Sequence, residues 1–227
     1  GPLNPAKKRD LALGYTNGEI IALIDDDTYP KKDWLKNALG HFQDTKVAAV
    51  GGPAITPKED SLRQKASGAV YSSFLASGKF TYRYIPGRLQ EVDDYPSCNF
   101  LVRKSVMLEL GGFQTNFWPG EDTKLCLEIT HILKKKIIYD PQVILFHHRR
   151  PLFMPHLRQV MSYALHRGYF VKRFPQTSLR PYYFVPSIFL FFNILTGIAG
   201  LFFIKARLIF LGVLSFYLAA VLFASVV

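Results

Sequence analysis

At 227 residues and 49% apolar side chains, the chain is long enough for one moderate domain with its own core. Its two cysteines, Cys98 and Cys126, exclude a disulfide scaffold and stand at no metal-binding spacing, so both are expected to be reduced core or near-core residues of a cytosolic domain. The net charge of +11 is unevenly spread: no Asp or Glu follows Asp140, while nine Lys and Arg do. These late cations lead into two long apolar runs, so anionic lipid head groups rather than nucleic acid are their expected partner.

The chain opens on Gly-Pro-Leu-Asn-Pro with no initiator Met and no signal peptide, and it ends inside an apolar run, which reads as a fragment cut at both ends. Residues 6–16 suit a short helix after Pro5, from which Arg9 can reach a phosphate. Ile20 to Ile24 then run straight into Asp25, Asp26 and Asp27. A short β-branched run of this kind suits a strand buried on both faces, as in a parallel sheet, with the acids at its carboxyl end where open α/β sheets hold ligands. Three adjacent carboxylates repel one another unless a cation neutralises them, and hard divalent ions prefer such oxygens together with substrate phosphates. The stretch therefore reads as a metal–diphosphate site, with a solvated acidic turn as the plain alternative.

Downstream, Asp33 to Phe42 carries an apolar stripe at helical spacing, and Val47 to Val50 reads as a second strand stopped by Gly51-Gly52-Pro53. Residues 59–77 suit a helix of mixed character. Residues 78–95, with Lys79, Arg83 and Arg88, have no clear period and are expected to form a long loop contacting an acceptor. Pro96 to Val102 reads as a strand, and a short helix from Ser105 is ended by Gly111-Gly112. A helix opens at Glu121-Asp122 and closes on Lys134, Lys135 and Lys136. Its acids complement the helix dipole, but they also suit a general base at a loop–helix junction. Two last strands, Ile137 to Tyr139 and Val143 to Phe146, lead to His147-His148-Arg149-Arg150, an imidazole for a metal and guanidiniums for phosphate. Residues 151–182 alternate apolar and basic side chains as an interfacial helix does. Beyond them, Phe184–Ile204 and Leu208–Val227 are uncharged runs of roughly 20 residues, the length that crosses a bilayer, and read as a transmembrane hairpin. The basic residues ahead of the hairpin place the globular part in the cytoplasm of a multi-pass protein of the cell membrane.

With these residues laid out, the chain resembles the family-2 glycosyltransferases, inverting enzymes of the GT-A fold, in their membrane-anchored form. The resemblance rests on Lys8-Arg9-Asp10, Leu23 to Pro30, Asn99 to Arg103, Gly111-Gly112-Phe113, Gly120 to Leu125 and the run from Tyr139 to His147-His148, in that order. It implies an α/β fold, a Rossmann-like mixed sheet with helices on both faces, over residues 1–150, without the family's opening strand. It also implies a nucleotide-sugar donor and a glycan or lipid-linked acceptor. Asp27 would hold Mn²⁺ or Mg²⁺ with Asp25 and His147, and Asp25 or Asp26 would contact the nucleotide. Arg9, Arg149 and Arg150 would bind the donor diphosphate, Asp122, or else Glu121, would be the base, and Asn99 and Trp118 would touch the acceptor. The Gln-x-x-Arg-Trp motif of processive synthases is not matched around Arg158-Gln159, which lacks the Trp. A non-catalytic membrane scaffold and a nucleotidyltransferase are the alternatives.

Overall fold

A computed structural model describes residues 4–226. Its main sheet contains β1 (Ile20–Ile24), β3 (Val47–Gly51), β5 (Gln90–Val92), β6 (Asn99–Arg103) and β7 (Lys136–Tyr139), in the order β1-β6-β3-β7-β5. A smaller sheet sets β8 (Leu145–His147) between β2 (Thr28–Pro30) and β4 (Ala54–Ile55). Strand alternation sends neighbouring side chains to opposite faces. Phe100 and Val102 therefore enter one core with Leu23, Met107, Phe113, Leu125 and Ile137, while Leu101 enters the other with Trp34, Ala38, Val50 and Leu145. The first core is roofed by α1 (Pro5–Leu13), α5 (Lys104–Glu109) and α6 (Glu121–Leu127), and the second by α2 (Trp34–Leu39). Helices thus cover both faces of a mixed sheet, as the α/β expectation required. Cys126 is buried and Cys98 half-buried, and both are free thiols.

The strand bearing the acids departs from its expected setting. β1 pairs antiparallel with β6, Ile24 opposite Asn99, and stands at the sheet's edge. Only Leu23 of its five residues is buried, because no strand among the described residues covers its other side. Apolar content identified the strand but not its neighbours.

Asn99 is also not where the acceptor reading put it. Its side chain is fully buried: the amide donates to the carbonyls of Gly52 (2.6 Å) and Val143 (2.9 Å), and its oxygen accepts from the Trp34 indole at 2.8 Å. Those bonds tie the main sheet to the approach to β8 and leave no group for an acceptor. At Gly52 a Cβ would lie 2.0 Å from the Val143 carbonyl oxygen, so only glycine permits this approach.

Beyond the sheets, α3 (Leu62–Ser72) and α4 (Phe74–Ser77) precede the loop to β5. The long helix α7 (Met154–Arg173) packs on the domain through Phe170, against Phe117 and Gly120. After α8 (Pro175–Ser178) come α9 (Val185–Ala199) and α10 (Ile204–Val226), which lie against each other. Of the expected two spans, one is long and apolar enough to cross a membrane, Ile204–Ser225. α9 has 15 residues, a rise of roughly 22 Å against a hydrocarbon layer of roughly 30 Å. Pro186 at its start and the turn after Gly200 cut the uncharged run short of a full span.

Replacing Asn99 by Ala orphans the Trp34 donor and the Val143 carbonyl, whereas the Gly52 carbonyl keeps the Tyr95 hydroxyl and the Pro53 carbonyl the Leu145 amide. At roughly 1–3 kcal/mol for each unsatisfied group, the substitution should lower unfolding stability by at least about 2 kcal/mol in a denaturant titration. A change below about 0.5 kcal/mol would mean that water replaces the bonds.

Candidate active site

The site forms where β1 ends, opposite the start of α6. One donor atom from each of Asp25, Asp27 and His147 lies within 4.8 Å of the others. Asp25 and Asp27 are brought together by the turn after β1, in which the Thr28 hydroxyl donates to the Asp25 carbonyl at 2.6 Å. β8, paired with β2, delivers His147 opposite Thr28, and its Nε2 stands 3.2 Å from Asp27 Oδ1. The hydrogen bond from His147 is the main reason Asp27 titrates below the usual carboxylate range. Asp25 is pushed up by burial, offset in part by Arg9 and His147. Two carboxylates and an imidazole fit a divalent cation: the oxygens suit Mg²⁺ or Mn²⁺, and the nitrogen suits the transition metal of the pair. Asp26 is exposed and stands outside this triad.

Across from the triad, Gly120 starts α6 at φ 110°, a left-handed conformation with the Phe170 ring where a Cβ would be. Glu121 turns inward to 2% exposure, and its Oε2 has no partner. Its Oε1 accepts from Arg9 Nη1 at 2.9 Å, while Arg9 Nη2 donates to Asp25 Oδ1 at 3.0 Å. One guanidinium therefore joins the two acidic groups, with the Ser97 hydroxyl as a third partner at 2.9 Å. Arg9 was expected to reach a phosphate; here its fork is already occupied by protein. Asp122 Oδ2 accepts from the Ser97 amide at 3.2 Å. Burial, reinforced by Asp94, pushes Asp122 above the usual carboxylate range, and burial followed by Asp122 pushes Glu121 up to about 7.

The four residues after β8 begins to end divide by side. His147 faces the triad. His148 Nδ1 pairs with the buried Asp60 at 2.5 Å. Arg149, expected on the donor phosphates, is buried instead: it donates to the Ala54 carbonyl, to Thr56 Oγ1 and to His147 Nδ1 (3.2 Å), and lies over the rings of Tyr71 and Tyr84. It is a support for the imidazole. With Nδ1 accepting from Arg149, Nε2 carries the proton toward Asp27, so ligation through Nε2 would require that proton to leave. Arg150 remains exposed, and its charge is a minor cause of the lowered Asp27 pKa. Trp118 is half-exposed on the loop before Gly120.

Several site residues gave no signal in the sequence. Ser97 carries no charge, yet it touches both Arg9 and Asp122. Asp94 is buried, accepts from Thr123 Oγ1 at 3.1 Å and lies beside Arg83 and Arg167, bracing the start of α6 from below. Asp10 accepts from the amides of Phe113 and Gln114, fixing the other end of the loop that carries Trp118. Only the Arg9-Asp10 adjacency hinted at this clamp.

An α/β sheet with an acidic strand end facing a carboxylate-bearing helix start is a fold of the GT-A kind. The likeness in fold is direct: a mannosyltransferase from Pyrobaculum calidifontis, solved with GDP-Man and Mn²⁺, superposes with a TM-score of 0.50 at 21% identity, over 81% of this chain and 47% of that one. The profile of glycosyl transferase family 2 matches residues 2–111 of the chain. A pre-mycofactocin glycosyltransferase of Mycobacterium tuberculosis is 29% identical over 146 residues, 64% of this chain. A glucosyl-dolichyl phosphate glucuronosyltransferase of Haloferax volcanii is 23% identical over 57% of this chain. The chain spans 30% and 43% of these two relatives.

The raised Glu121 carries a sign that can be tested. Between the ordinary value of 4.5 and about 7, the folded protein holds a proton that the unfolded chain has lost, so stability falls as pH rises through that window. Thermal unfolding followed by tryptophan fluorescence should give a melting temperature that declines from pH 5 to pH 7.5. Glu121→Gln should flatten the decline; an unchanged slope in the variant would assign it to other groups.

Proposed function

We propose that this chain is the catalytic part of an inverting, metal-dependent glycosyltransferase that moves a sugar from a nucleoside-diphosphate donor to a hydroxyl of a lipid-linked or cell-surface glycan. The observation that carries the reading is the meeting of Asp25, Asp27 and His147 within 4.8 Å, with Asp122 held across from them. A divalent ion held by the triad would supply charge neutralisation to the departing diphosphate. Arg150, exposed beside Asp27, adds a cation on the same side.

Asp122 is the base. Its pKa is raised, which makes it a stronger proton acceptor than an ordinary carboxylate, and the Ser97 amide aims one of its oxygens. Glu121 is bound to Arg9 and almost fully buried, which disfavours it in that role. The acceptor oxygen loses its proton to Asp122 and bonds to the anomeric carbon as the carbon–phosphate oxygen bond breaks on the opposite face, so the configuration inverts. Trp118 is placed to stack on the incoming glycan.

The donor class draws support from the GDP-Man in the structural neighbour, and the lipid-linked acceptor from the dolichyl phosphate in the name of the Haloferax relative. In this reading α10 crosses the cell membrane, α7 lies in the interface over anionic lipids, and the basic residues ahead of α9 keep the globular part on the cytoplasmic side.

The test is nucleoside-diphosphate release by the full-length protein in membranes, over a panel of UDP-, GDP- and dTDP-sugars. Asp122→Asn should lower kcat roughly 10²–10⁴-fold with little change in donor KM, the usual worth of a positioned base. Asp27→Asn should abolish the dependence on Mn²⁺. Release of pyrophosphate would instead identify a nucleotidyltransferase, and no donor-dependent release from folded protein would leave a scaffold.

A further inference from the structure

α3 is built inside out for a helix in water. Its inward face is small and polar. Ser67 is fully buried, with Oγ 2.7 Å from His156 Nδ1 of α7. Gly68 lies so close to the small sheet that a Cβ would stand 2.1 Å from Thr56 Oγ1. Tyr71 donates to Gln159 of α7 at 3.3 Å, and the Arg63 carbonyl accepts from the Leu152 amide at 2.9 Å. The apolar residues point the other way: Leu62 is 81% exposed and Phe74, at the start of α4, 77%, with Val70 and Leu75 also outside. Amphipathic helices of soluble domains do the reverse.

Three features say what covers this face. First, α4 packs against α10, the helix long and apolar enough to cross a membrane. Second, the face adjoins α7, which is bonded to α3 through His156 and Gln159 near its start and exposes Leu157, Met161 and Leu165. Third, cations rim it: Arg63 lies over the Phe153 ring and Lys79 over Tyr182, while Lys65 and Arg158 are exposed. Apolar side chains within a basic rim are what the boundary between acyl chains and anionic head groups accepts.

We propose that α3 and α4 form a second membrane-facing arm which, beside α7, seats the globular part on an anionic bilayer with Phe74 and Leu75 below the head groups. The inference rests on the reading of α10 as a membrane span and not on the chemistry at Asp122. The occupant is the bilayer, since a second copy of the chain would not require the basic rim.

The experiment uses the full-length protein in vesicles of phosphatidylcholine with brominated acyl chains and phosphatidylglycerol. Single tryptophans are introduced as Phe74→Trp, Leu75→Trp, Leu222→Trp in α10 and Lys36→Trp on the exposed side of α2, and the wild-type signal of Trp34 and Trp118 is subtracted. The added fluorescence at 74 and 75 should fall by about half or more, as at 222, against about a tenth or less at 36, the contrast expected of a helix lying at the acyl boundary. Quenching at 222 but not at 74 or 75 overturns the second arm alone; quenching at none of the three overturns the membrane reading of α10 as well. Residues 74 and 75 shielded from aqueous acrylamide yet unquenched by the lipid would assign the face to a protein contact and sink the proposal.

Discussion

The site depends on one guanidinium. Arg9 holds Asp25, at the end of β1, and Glu121, at the start of α6, through separate nitrogens of the same fork. Without a cation there, two inward-turned carboxylates would face one another in a poorly solvated space, and at least one would have to take up a proton. Buried pairs of this kind contribute little to net stability, but losing one partner leaves an uncompensated charge. Arg9 is therefore better understood as fixing position than as strengthening the fold. Because Asp10 clamps the backbone at Phe113 and Gln114, α1 grips both ends of the loop from Phe113 to Glu121. Asp25 and the Glu121-Asp122 pair are registered to each other through this short helix.

The imidazole side of the site follows the same economy. Residues 147 to 150 divide among separate surroundings at the end of β8. One residue of the four enters the triad, one pairs with Asp60, one is buried as a brace, and one is exposed. Arg149 shows how a residue of the right chemical type can sit beside a site without reaching the substrate. Its neighbours, Tyr71 and Tyr84, hold the guanidinium in a stack, and its bond to Nδ1 fixes which nitrogen of His147 turns to Asp27.

Much of this was legible in the sequence where chemistry and periodicity coincide. The apolar run into Asp25–Asp27, the glycines before Glu121-Asp122 and the His147 pair were visible because each joins a structural boundary to reactive groups. The short strands β2, β4 and β5 were not, since two or three residues make no period and their pairing is decided by tertiary neighbours. Asn99 misled because an amide in a strand can bind a ligand or close a core, and only the three carbonyls and the indole around it decide. The first apolar run is uncharged over a full membrane length, but Pro186 and Gly200 cut its helix to 15 residues. Composition does not count turns.

The charge asymmetry is where sequence and structure bear on each other most. The excess of cations after Asp140 suggested lipid head groups as their partner, yet Arg149 is buried beside His147 and two more of those cations face inward. Arg180 pairs with Asp93 at 2.5 Å, and Arg167 reaches Asp94 at 3.5 Å. Asp94 in turn receives the hydroxyl of Thr123, the residue after Asp122, and its charge is one cause of the raised Asp122 pKa. The helices that precede α9 are thus tied by ion pairs to the turn carrying Asp122. Both pairs are partly shielded from solvent, so salt screens them less than a surface pair. A displacement of α7 would be felt first at Arg167 and Phe170, which contact Asp94 and Gly120 on either side of Glu121-Asp122. The position of the basic segment and the environment of Asp122 are therefore one mechanical unit, and the acidic pair Asp93-Asp94 is the joint between them.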